Sequence, residues 1–238
     1  MTGTSLHIEN LKAGYGGLVV LKGVSLDVPQ GAVVALIGPN GHGKSTLLKC
    51  ISGLVQARSG TIDFEGSSLV GLRPHRIVER GIRHIPQGDL IFPDMSVYDN
   101  LMMGAYLPEA YSQASQRLEE VFALLPRLDE RQQQMGSTLS GGERRMLAIG
   151  RGLMGGGRLL MIDEPSLGLA PLVIDQIYEV IARLQQKGLT ILLVEENASR
   201  IVGIAESVYL LDDGQLVWQG TPTELEASEG ILATYLGG

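Results

Sequence analysis

A glycine-rich stretch after a short apolar run has the composition of a phosphate-binding loop. The run Val33–Ile37 favours a buried strand, and the residues after it fit the spacing G-x-x-x-x-G-K-[ST]: Gly38, Pro39, Asn40, Gly41, His42, Gly43, Lys44, Ser45 and Thr46. The glycines let successive backbone N–H groups converge on phosphates, and a helix that starts there adds the positive end of its dipole. We expect Lys44 to reach the β- and γ-phosphates of a nucleotide and Ser45 to bind Mg²⁺. A glycine-rich turn that fits the spacing by chance is the alternative.

Two adjacent carboxylates follow another apolar run. Asp163 and Glu164 come directly after Leu159–Ile162, so a strand would carry them to its carboxyl end, where sites in α/β proteins lie. We expect Asp163 to hold Mg²⁺ through water and Glu164 to orient and deprotonate an attacking water. A positioned base of this kind accelerates a reaction by roughly 10²–10⁴-fold. The alternative is a pair that only caps the helix expected near Pro171, a role that Ser166 would suit better.

A second candidate phosphate-binding site lies at the start of another predicted helix. The sequence Leu139-Ser140-Gly141-Gly142-Glu143 supplies a hydroxyl donor, and its two glycines expose backbone N–H groups. Taken alone, this pattern predicts only a capped helix start.

Four short apolar runs favour strands that are covered on both faces, as in a parallel sheet. They are Val33–Ile37, Ile82–Ile85, Leu159–Ile162 and Thr190–Val194. Helical patterns lie between them, at Thr46–Ser52 and Leu172–Gln186. The predicted fold class is therefore α/β, with a phosphate-loop core built on a mostly parallel sheet.

Patterns in the outer segments predict antiparallel strands that flank this sheet. The segments are Leu6–Leu11, Val24–Val28, Thr61–Phe64, Val208–Leu211 and Leu216–Trp218. The dipeptide Asp213-Gly214 between the last two predicts a hairpin turn.

The middle of the chain, from Asp94 to about Leu153, has only helical patterns. Ser96 can cap a first helix, and one apolar stripe consists of Leu118, Val121, Phe122 and Leu125. We interpret this region as an α-helical subdomain inserted into the α/β core.

The composition excludes several classes of function. With 238 residues, 44 % of them hydrophobic and 19 % charged, the chain can bury a sizeable core. A formal net charge of −7 argues against non-specific binding to nucleic acid or anionic lipid. The single cysteine, Cys50, excludes an internal disulfide and a cysteine-cluster metal site. No secretory signal or membrane-spanning run is visible, so we expect a cytosolic globular protein.

Together these motifs resemble those of ATP-binding-cassette (ABC) transporter ATPases, over essentially the whole chain. The resemblance implies one ABC ATPase domain over 1–238, with an α/β core at 1–87 and 154–238 and a helical signature subdomain at 88–153. It also implies ATP and Mg²⁺ as cofactors, two permease subunits as partners, and a head-to-tail dimer. In such a dimer the signature residues of one subunit close over the phosphate loop of the other; here they are Ser140, Gly141, Gly142 and Glu143.

The resemblance assigns further positions residue by residue. Tyr15 is similar to the aromatic residue that stacks on adenine, and Gln87 to the glutamine that contacts Mg²⁺ and the attacking water. The stretch Phe92–Val97 would line the groove that receives a permease helix. A strand-edge tyrosine and an ordinary linker are the alternatives. Catalysis is thereby assigned to Glu164, Gln87 and Lys44, and Mg²⁺ binding to Ser45, Gln87 and Asp163.

Three positions depart from the usual family pattern. His42 replaces a small residue of the phosphate loop, and we expect a solvated side chain without a catalytic role. Ala170 stands where most members have an aspartate that contacts the partner subunit. Glu196 occupies the switch position, where a histidine usually donates a hydrogen bond to the γ-phosphate. Because a carboxylate would repel that phosphate, Glu196 turns away, is protonated, or marks a weak catalytic site.

These departures resemble one subgroup, the second ATPase subunit of branched-chain amino acid importers and their urea and amide relatives. The run Asp163–Pro171 and the histidine-free Val194–Asn197 carry this resemblance. It implies a heterodimer with a paralogous ATPase, an extracytoplasmic solute-binding protein as an indirect partner, and a peripheral place on the cytoplasmic face of the inner (plasma) membrane. No nucleic acid partner is expected. A homodimer, a lipopolysaccharide-export ATPase and a non-transport regulatory ATPase are the alternatives.

Overall fold

The computed structural model describes residues 3–88, 90–228 and 230–231, and the rest of the expected 1–238 domain lies outside this described part. The strands are β1 (Thr4–Tyr15), β2 (Leu18–Pro29), β3 (Val33–Ile37), β4 (Ala57–Phe64), β5 (Ser67–Ser68), β6 (Ile82–Ile85), β7 (Leu159–Asp163), β8 (Thr190–Glu195), β9 (Ser207–Asp212) and β10 (Gln215–Gly220). The α-helices are α1 (Lys44–Ile51), α2 (Pro74–Glu79), α3 (Val97–Gly104), α4 (Pro108–Ser112), α5 (Ala114–Leu124), α6 (Pro126–Asp129), α7 (Gly141–Met154), α8 (Pro171–Gln186) and α9 (Pro222–Glu226).

Within the described residues, six strands form the main sheet in the order β10-β9-β3-β8-β7-β6. The strands β3, β8, β7 and β6 run parallel, which confirms the prediction made from the four apolar runs. Alternate residues of β3 enter opposite hydrophobic cores. Val33, Ala35 and Ile37 face one core, while Val34 and Leu36 face the other. Burial on both faces is why this strand is apolar throughout.

The direction of β9 differs from the prediction for Val208–Leu211. We expected an antiparallel strand beside the sheet, but β9 pairs in parallel with β3 and is antiparallel only to β10. The physical reason is that β9 is covered on both faces. Val208 and Leu210 pack into one core, and Tyr209 and Leu211 pack into the other. The strand therefore belongs to the interior of the parallel sheet.

A second sheet, in the order β2-β1-β4-β5, is antiparallel, as the patterns of its three longer strands predict. It shares one hydrophobic core with α1 and with one face of the main sheet. Leu47 and Ile51 of α1 join Leu6, Val24 and Phe64 of the antiparallel strands in this core. The first helix after the phosphate loop is thus held between the two sheets.

Helices α3 to α7 lie between β6 and β7 in the chain and pack into the other core. Ser96 caps α3 by accepting a hydrogen bond from the Asp99 N–H at 3.0 Å, as predicted. In the predicted apolar stripe, Val121 and Leu125 are buried, and Leu118 and Phe122 are partly buried against the same core. The stripe therefore fixes which face of α5 packs inward.

The hairpin turn between β9 and β10 forms at Asp213 and Gly214, as predicted, and both residues have positive φ, 42° and 76°. A second turn of the same kind joins β4 to β5, where Glu65 has a φ of 49° and Gly66 a φ of 74°. The two glycines differ in their surroundings. A Cβ atom on Gly214 would overlap the carbonyl oxygen of Val20, whereas a Cβ atom on Gly66 would meet nothing within 4 Å.

We predict that Gly214→Ala destabilises the protein more than Gly66→Ala, which serves as the matched control. Both substitutions place a side chain in the left-handed region, at a cost of about 1 kcal/mol. Only Gly214→Ala also forces the turn away from β2, which adds about 1–3 kcal/mol. Urea unfolding of both variants measures the two losses. Equal losses would contradict the close approach of the turn to Val20.

Candidate functional site

The parallel strands bring the predicted site residues to one edge of the main sheet. Ile37, the last residue of β3, pairs with Glu195, the last residue of β8. Asp163, the last residue of β7, pairs with Val194. Three strands therefore end at the same level, and the loops that follow them converge there. This is the edge where ligand sites of parallel α/β sheets lie.

The phosphate loop leaves this edge through glycines that are required by its path. Gly38, Gly41 and Gly43 have φ values of 148°, 83° and 110°, in the region that favours glycine. A Cβ atom on Gly38 would overlap the carbonyl oxygen of Leu211 in β9, so this position of the loop has no room for a side chain. Gly43 is the N-cap of α1 and has no side chain to cap its N–H groups. These N–H groups are thereby available to an anion.

Lys44 is buried beneath the loop, with 3 % of its surface exposed. Its Nζ donates to the Gly38 carbonyl at 2.7 Å and to the Pro39 carbonyl at 3.1 Å. The same atom lies 3.3 Å from Oε1 of Glu164, which is also buried. Loop carbonyls and one carboxylate therefore hold the ammonium group at the place where the phosphates are expected.

Asp163 and Ser45 are adjacent, as the predicted Mg²⁺ site requires. Burial raises the pKa of Asp163 above its usual range, and a hydrogen bond with the Ser45 side chain opposes that rise. Oδ1 of Asp163 is buried and has no hydrogen-bond partner among the described residues. An orphaned carboxylate oxygen beside a hydroxyl fits Mg²⁺, which takes oxygen ligands and keeps several waters.

Glu164 sits at a strained point of the chain. Its φ is 45°, in the left-handed region, and its N–H donates to the Val194 carbonyl at 2.9 Å. Strained residues of this kind cluster at functional sites. Oε2 of Glu164 accepts a hydrogen bond from Nε2 of Gln87 at 2.8 Å. The structure thus brings the three residues with predicted catalytic roles, Lys44, Glu164 and Gln87, into one contact group.

The alternative reading of Asp163 and Glu164 as helix caps does not fit the structure. Helix α8 begins at Pro171, and its N-cap is Ala170. Ser166 does not cap this helix either, because its Oγ donates to Oε2 of Glu195 at 3.0 Å. The carboxylates are therefore directed into the site.

A cavity of roughly 290 Å³ opens over this group. Its walls are the phosphate loop and the start of α1, together with Gln87 and Glu164. Tyr15, at the end of β1, stands beside α1 and is 47 % exposed, with its hydroxyl 3.5 Å from Oγ1 of Thr46. The ring is therefore exposed beside Thr46, one of the residues that line the cavity.

The signature residues form a helix start, as predicted, but they do not line this cavity. Ser140 is the N-cap of α7 and accepts from the Glu143 N–H, while Oε2 of Glu143 accepts from the Ser140 N–H at 2.9 Å. Gly141 and Gly142 are the first two residues of the helix. Helices α1 and α7 therefore start at separate places, and only the start of α1 lines this cavity.

His42 is partly exposed, with 36 % of its side-chain surface accessible, and it also makes contacts that the expectation of a solvated side chain did not include. The expectation that it has no catalytic role stays a prediction. Nδ1 of His42 lies 2.7 Å from Oδ1 of Asp212 and 3.1 Å from the backbone N of Asp213, and the His42 carbonyl accepts from the Gly214 N–H at 3.1 Å. The side chain thus ties the phosphate loop to the β9–β10 turn. Its partner lies 170 residues away in sequence, so no local pattern could indicate the contact.

Among the remaining positions, Glu196 is exposed and Ala170 is exposed at the start of α8.

Sequence reasoning missed Glu195, which is only 1 % exposed and forms hydrogen bonds with Ser166 and Tyr178. A signal was available, because an acidic residue ends an otherwise apolar buried strand. Such a residue must find hydrogen-bond donors in the interior.

Comparisons with known proteins agree with this geometry. The family model for ABC transporters matches residues 21–167. The chain is 42 % identical to the high-affinity branched-chain amino acid transport ATP-binding protein BraG of Pseudomonas aeruginosa, over 98 % of this chain and 100 % of that relative. It is 35 % identical to the lipopolysaccharide export system ATP-binding protein LptB of Escherichia coli, over 98 % and 97 % of the two chains.

A solved structure confirms the fold class predicted from the sequence. An ATP-binding cassette of an ABC transporter, in its ADP conformation, aligns with a TM-score of 0.87 and 26 % identity over 98 % of both chains. Proteins of this kind bind nucleotide, hydrolyse ATP and work with membrane permease subunits. The chain belongs to the ABC transporter family and is one of its ATP-hydrolysing subunits.

Proposed function

We propose that this ATPase powers uptake of branched-chain amino acids, or of a related small polar solute, through separate permease subunits. The observation that carries the ATP-hydrolysing part of the proposal is the contact of the buried Lys44 and Glu164 with each other, and of Glu164 with Gln87, at the phosphate loop. The 42 % identity to BraG over nearly the whole chain supports amino acid import. The 35 % identity to LptB keeps lipopolysaccharide export as the second candidate.

In the proposed reaction each residue acts through the geometry described above. N–H groups at the start of α1 bind phosphate oxygens, and Lys44 neutralises their charge. Gln87 orients the attacking water and Glu164 accepts its proton. Tyr15 stacks on the adenine. Mg²⁺, held by Asp163 and Ser45 and contacted by Gln87, would neutralise charge on the phosphates.

We propose that the second helix start serves a second ATPase subunit. Ser140 and the N–H groups of α7 would close over the phosphate loop of the partner in a head-to-tail dimer. A paralogous partner is favoured over a second copy because of the Ala170 and Glu196 departures. In a heterodimer the partner's phosphate loop, closed by this chain's signature residues, can carry most of the turnover.

The permease is proposed to dock at a cavity of roughly 240 Å³ between the segment after β6 and helices α3 and α7. Phe92, Met103 and Tyr106 supply an exposed apolar lining. Helix α7 also holds the segment that carries Gln87. Nη1 of Arg145 donates to the Gly88 carbonyl at 3.0 Å. Movement of the signature helix would therefore reach the docking surface.

Two further contacts come from Arg151 of the same helix. Its Nη2 donates to the Leu90 carbonyl at 2.7 Å, and its guanidinium lies 5.1 Å from the ring centroid of Phe92. A cation over an aromatic face stabilises such a contact by about 0.5–1 kcal/mol at exposed sites. These contacts support a functional link between the docking cavity and the nucleotide.

The proposed organisation is one domain, 1–238, with a core at 1–87 and 154–238 and a helical part at 88–153. In the described part of the chain, no helix has both the length and the apolar composition of a membrane span. From the family membership, we propose peripheral attachment to permease subunits at the cytoplasmic face of the membrane. An extracytoplasmic solute-binding protein would select the cargo, and nucleic acid is not proposed as a partner.

We predict that Glu164→Gln preserves ATP binding at this chain's own phosphate loop and nearly abolishes turnover at that site. The amide keeps the shape of the side chain but cannot accept a proton, so kcat should fall by roughly 10²–10⁴-fold. Nucleotide binding, measured by titration, and steady-state hydrolysis test the two effects separately. The exposed Glu119→Gln is the control for loss of one negative charge. Wild-type turnover by the Glu164→Gln variant would show that Glu164 is not the base.

Purification of the tagged chain from its native membranes in mild detergent tests the proposed assembly. We expect two permease chains and a second, different ATPase to accompany it. Recovery of one kind of permease without a second ATPase would contradict the heterodimer. Identification of lipopolysaccharide-export components would favour the second candidate function.

We predict that Tyr106→Ala releases the permease in the same purification. Tyr106 is 58 % exposed and lines the docking cavity, so its truncation removes apolar contact area. Tyr111→Ala is the matched control, because Tyr111 is 67 % exposed and does not line this cavity. Equal permease recovery with both variants would contradict docking at this place.

A further inference from the structure

The buried carboxylate of Glu195 connects three segments of the chain. Oε1 accepts from the Tyr178 hydroxyl at 2.5 Å and from the Ser166 N–H at 3.3 Å. Oε2 accepts from the Ser166 hydroxyl at 3.0 Å and from the Glu196 N–H at 3.3 Å. The donors come from the loop after β7, from α8 and from the switch position after β8.

The hydrogen-bond donors around Glu195 require both of its side-chain oxygens to act as acceptors. Each oxygen faces one backbone N–H group, and such a group cannot reverse its role. An amide in place of the carboxylate would direct its NH₂ group at one of these N–H groups in either orientation. Burial raises the pKa of Glu195, and the four hydrogen bonds oppose that rise. Isosteric replacement by glutamine therefore breaks the network without opening a cavity.

The network acts on the loop that carries the proposed base. Ser166 follows Glu164 by two residues, and Glu164 itself is strained at a φ of 45°. Strained backbone persists only where the surroundings over-determine it. On one side the Glu164 N–H bonds to the Val194 carbonyl, and on the other side Glu195 holds Ser166. Both restraints come from the end of β8.

We propose that Glu195 is a positioning residue for ATP hydrolysis. It locks the loop that carries Glu164 to the strand end that carries Glu196, so the base and the switch position move as one unit. The same lock extends through Ser166 to the stretch that ends at Ala170, which faces the partner subunit in the proposed dimer. A displacement of about 1 Å at a reacting group can cost about 10²-fold in rate.

The test compares steady-state hydrolysis over a range of Mg²⁺–ATP concentrations by the assembled transporter, in which the base of the partner ATPase is substituted so that turnover reports on this chain's own phosphate loop. Glu195→Gln should lower kcat on the order of 10- to 100-fold and leave KM for ATP within about twofold, because the phosphate loop is untouched. Gly66→Ala controls for lost stability, since it strains a distant turn and should keep kcat. Wild-type kcat in a folded Glu195→Gln variant would overturn the proposal, and so would equal losses in both variants.

Ser166→Ala provides a second route if Glu195→Gln does not fold. It removes the Oγ donor while the acidic residue stays in place, so kcat should fall several-fold with KM unchanged. Wild-type kcat in Ser166→Ala alone would overturn the proposal. When Glu195→Gln folds, the double variant should show no further loss beyond Glu195→Gln, because both substitutions break one link. Additive losses would overturn the proposal.

This inference rests on the base role proposed for Glu164, and the two fail differently. Wild-type turnover by Glu164→Gln would contradict the role of Glu164 as the base. Wild-type turnover by Glu195→Gln, with Glu164→Gln inactive, would contradict only the positioning role of Glu195.

Discussion

Strands β3, β8 and β7 end at one level of the sheet because Ile37 pairs with Glu195 and Asp163 pairs with Val194. This register brings the phosphate loop, the paired carboxylates and the switch position together. A shift of one residue in β7 would turn Asp163 to the opposite face of the sheet and move Glu164, the proposed base, away from Lys44. The two hydrophobic cores that cover the sheet therefore determine the chemistry of the site.

Charges buried at this edge are compensated in different ways. Lys44 and Glu164 contact each other, and Glu195 accepts four hydrogen bonds. Lys44 also donates to two loop carbonyls, so its charge does not depend on Glu164 alone. Asp163 differs, because its Oδ1 has no partner in the described part of the chain. Among the buried side chains of the described residues, this unsatisfied carboxylate oxygen belongs to the residue proposed to hold Mg²⁺.

Local patterns were sufficient for the parts of the site that lie within one loop or one helix start. The phosphate loop, the strand-end carboxylates and the Ser140 cap each follow from residues that are close in sequence. Local patterns did not predict three other features, which are the direction of β9, the His42–Asp212 contact and the Glu195 network. Each depends on which distant segments the topology brings together, and the separation between His42 and Asp212 is 170 residues. In the sequence, the feature that could have indicated this network was the acidic Glu195 at the end of an apolar strand.

The central claim is that this chain hydrolyses ATP in one half of an asymmetric pair and completes the site of its partner through Ser140. The most direct measurement is hydrolysis by the assembled transporter with Glu164→Gln in this subunit alone, compared with a transporter in which both ATPase subunits lack their base. We predict that the singly substituted transporter continues to hydrolyse ATP at the partner's site. Loss of all activity, equal to that of the doubly substituted transporter, would contradict it.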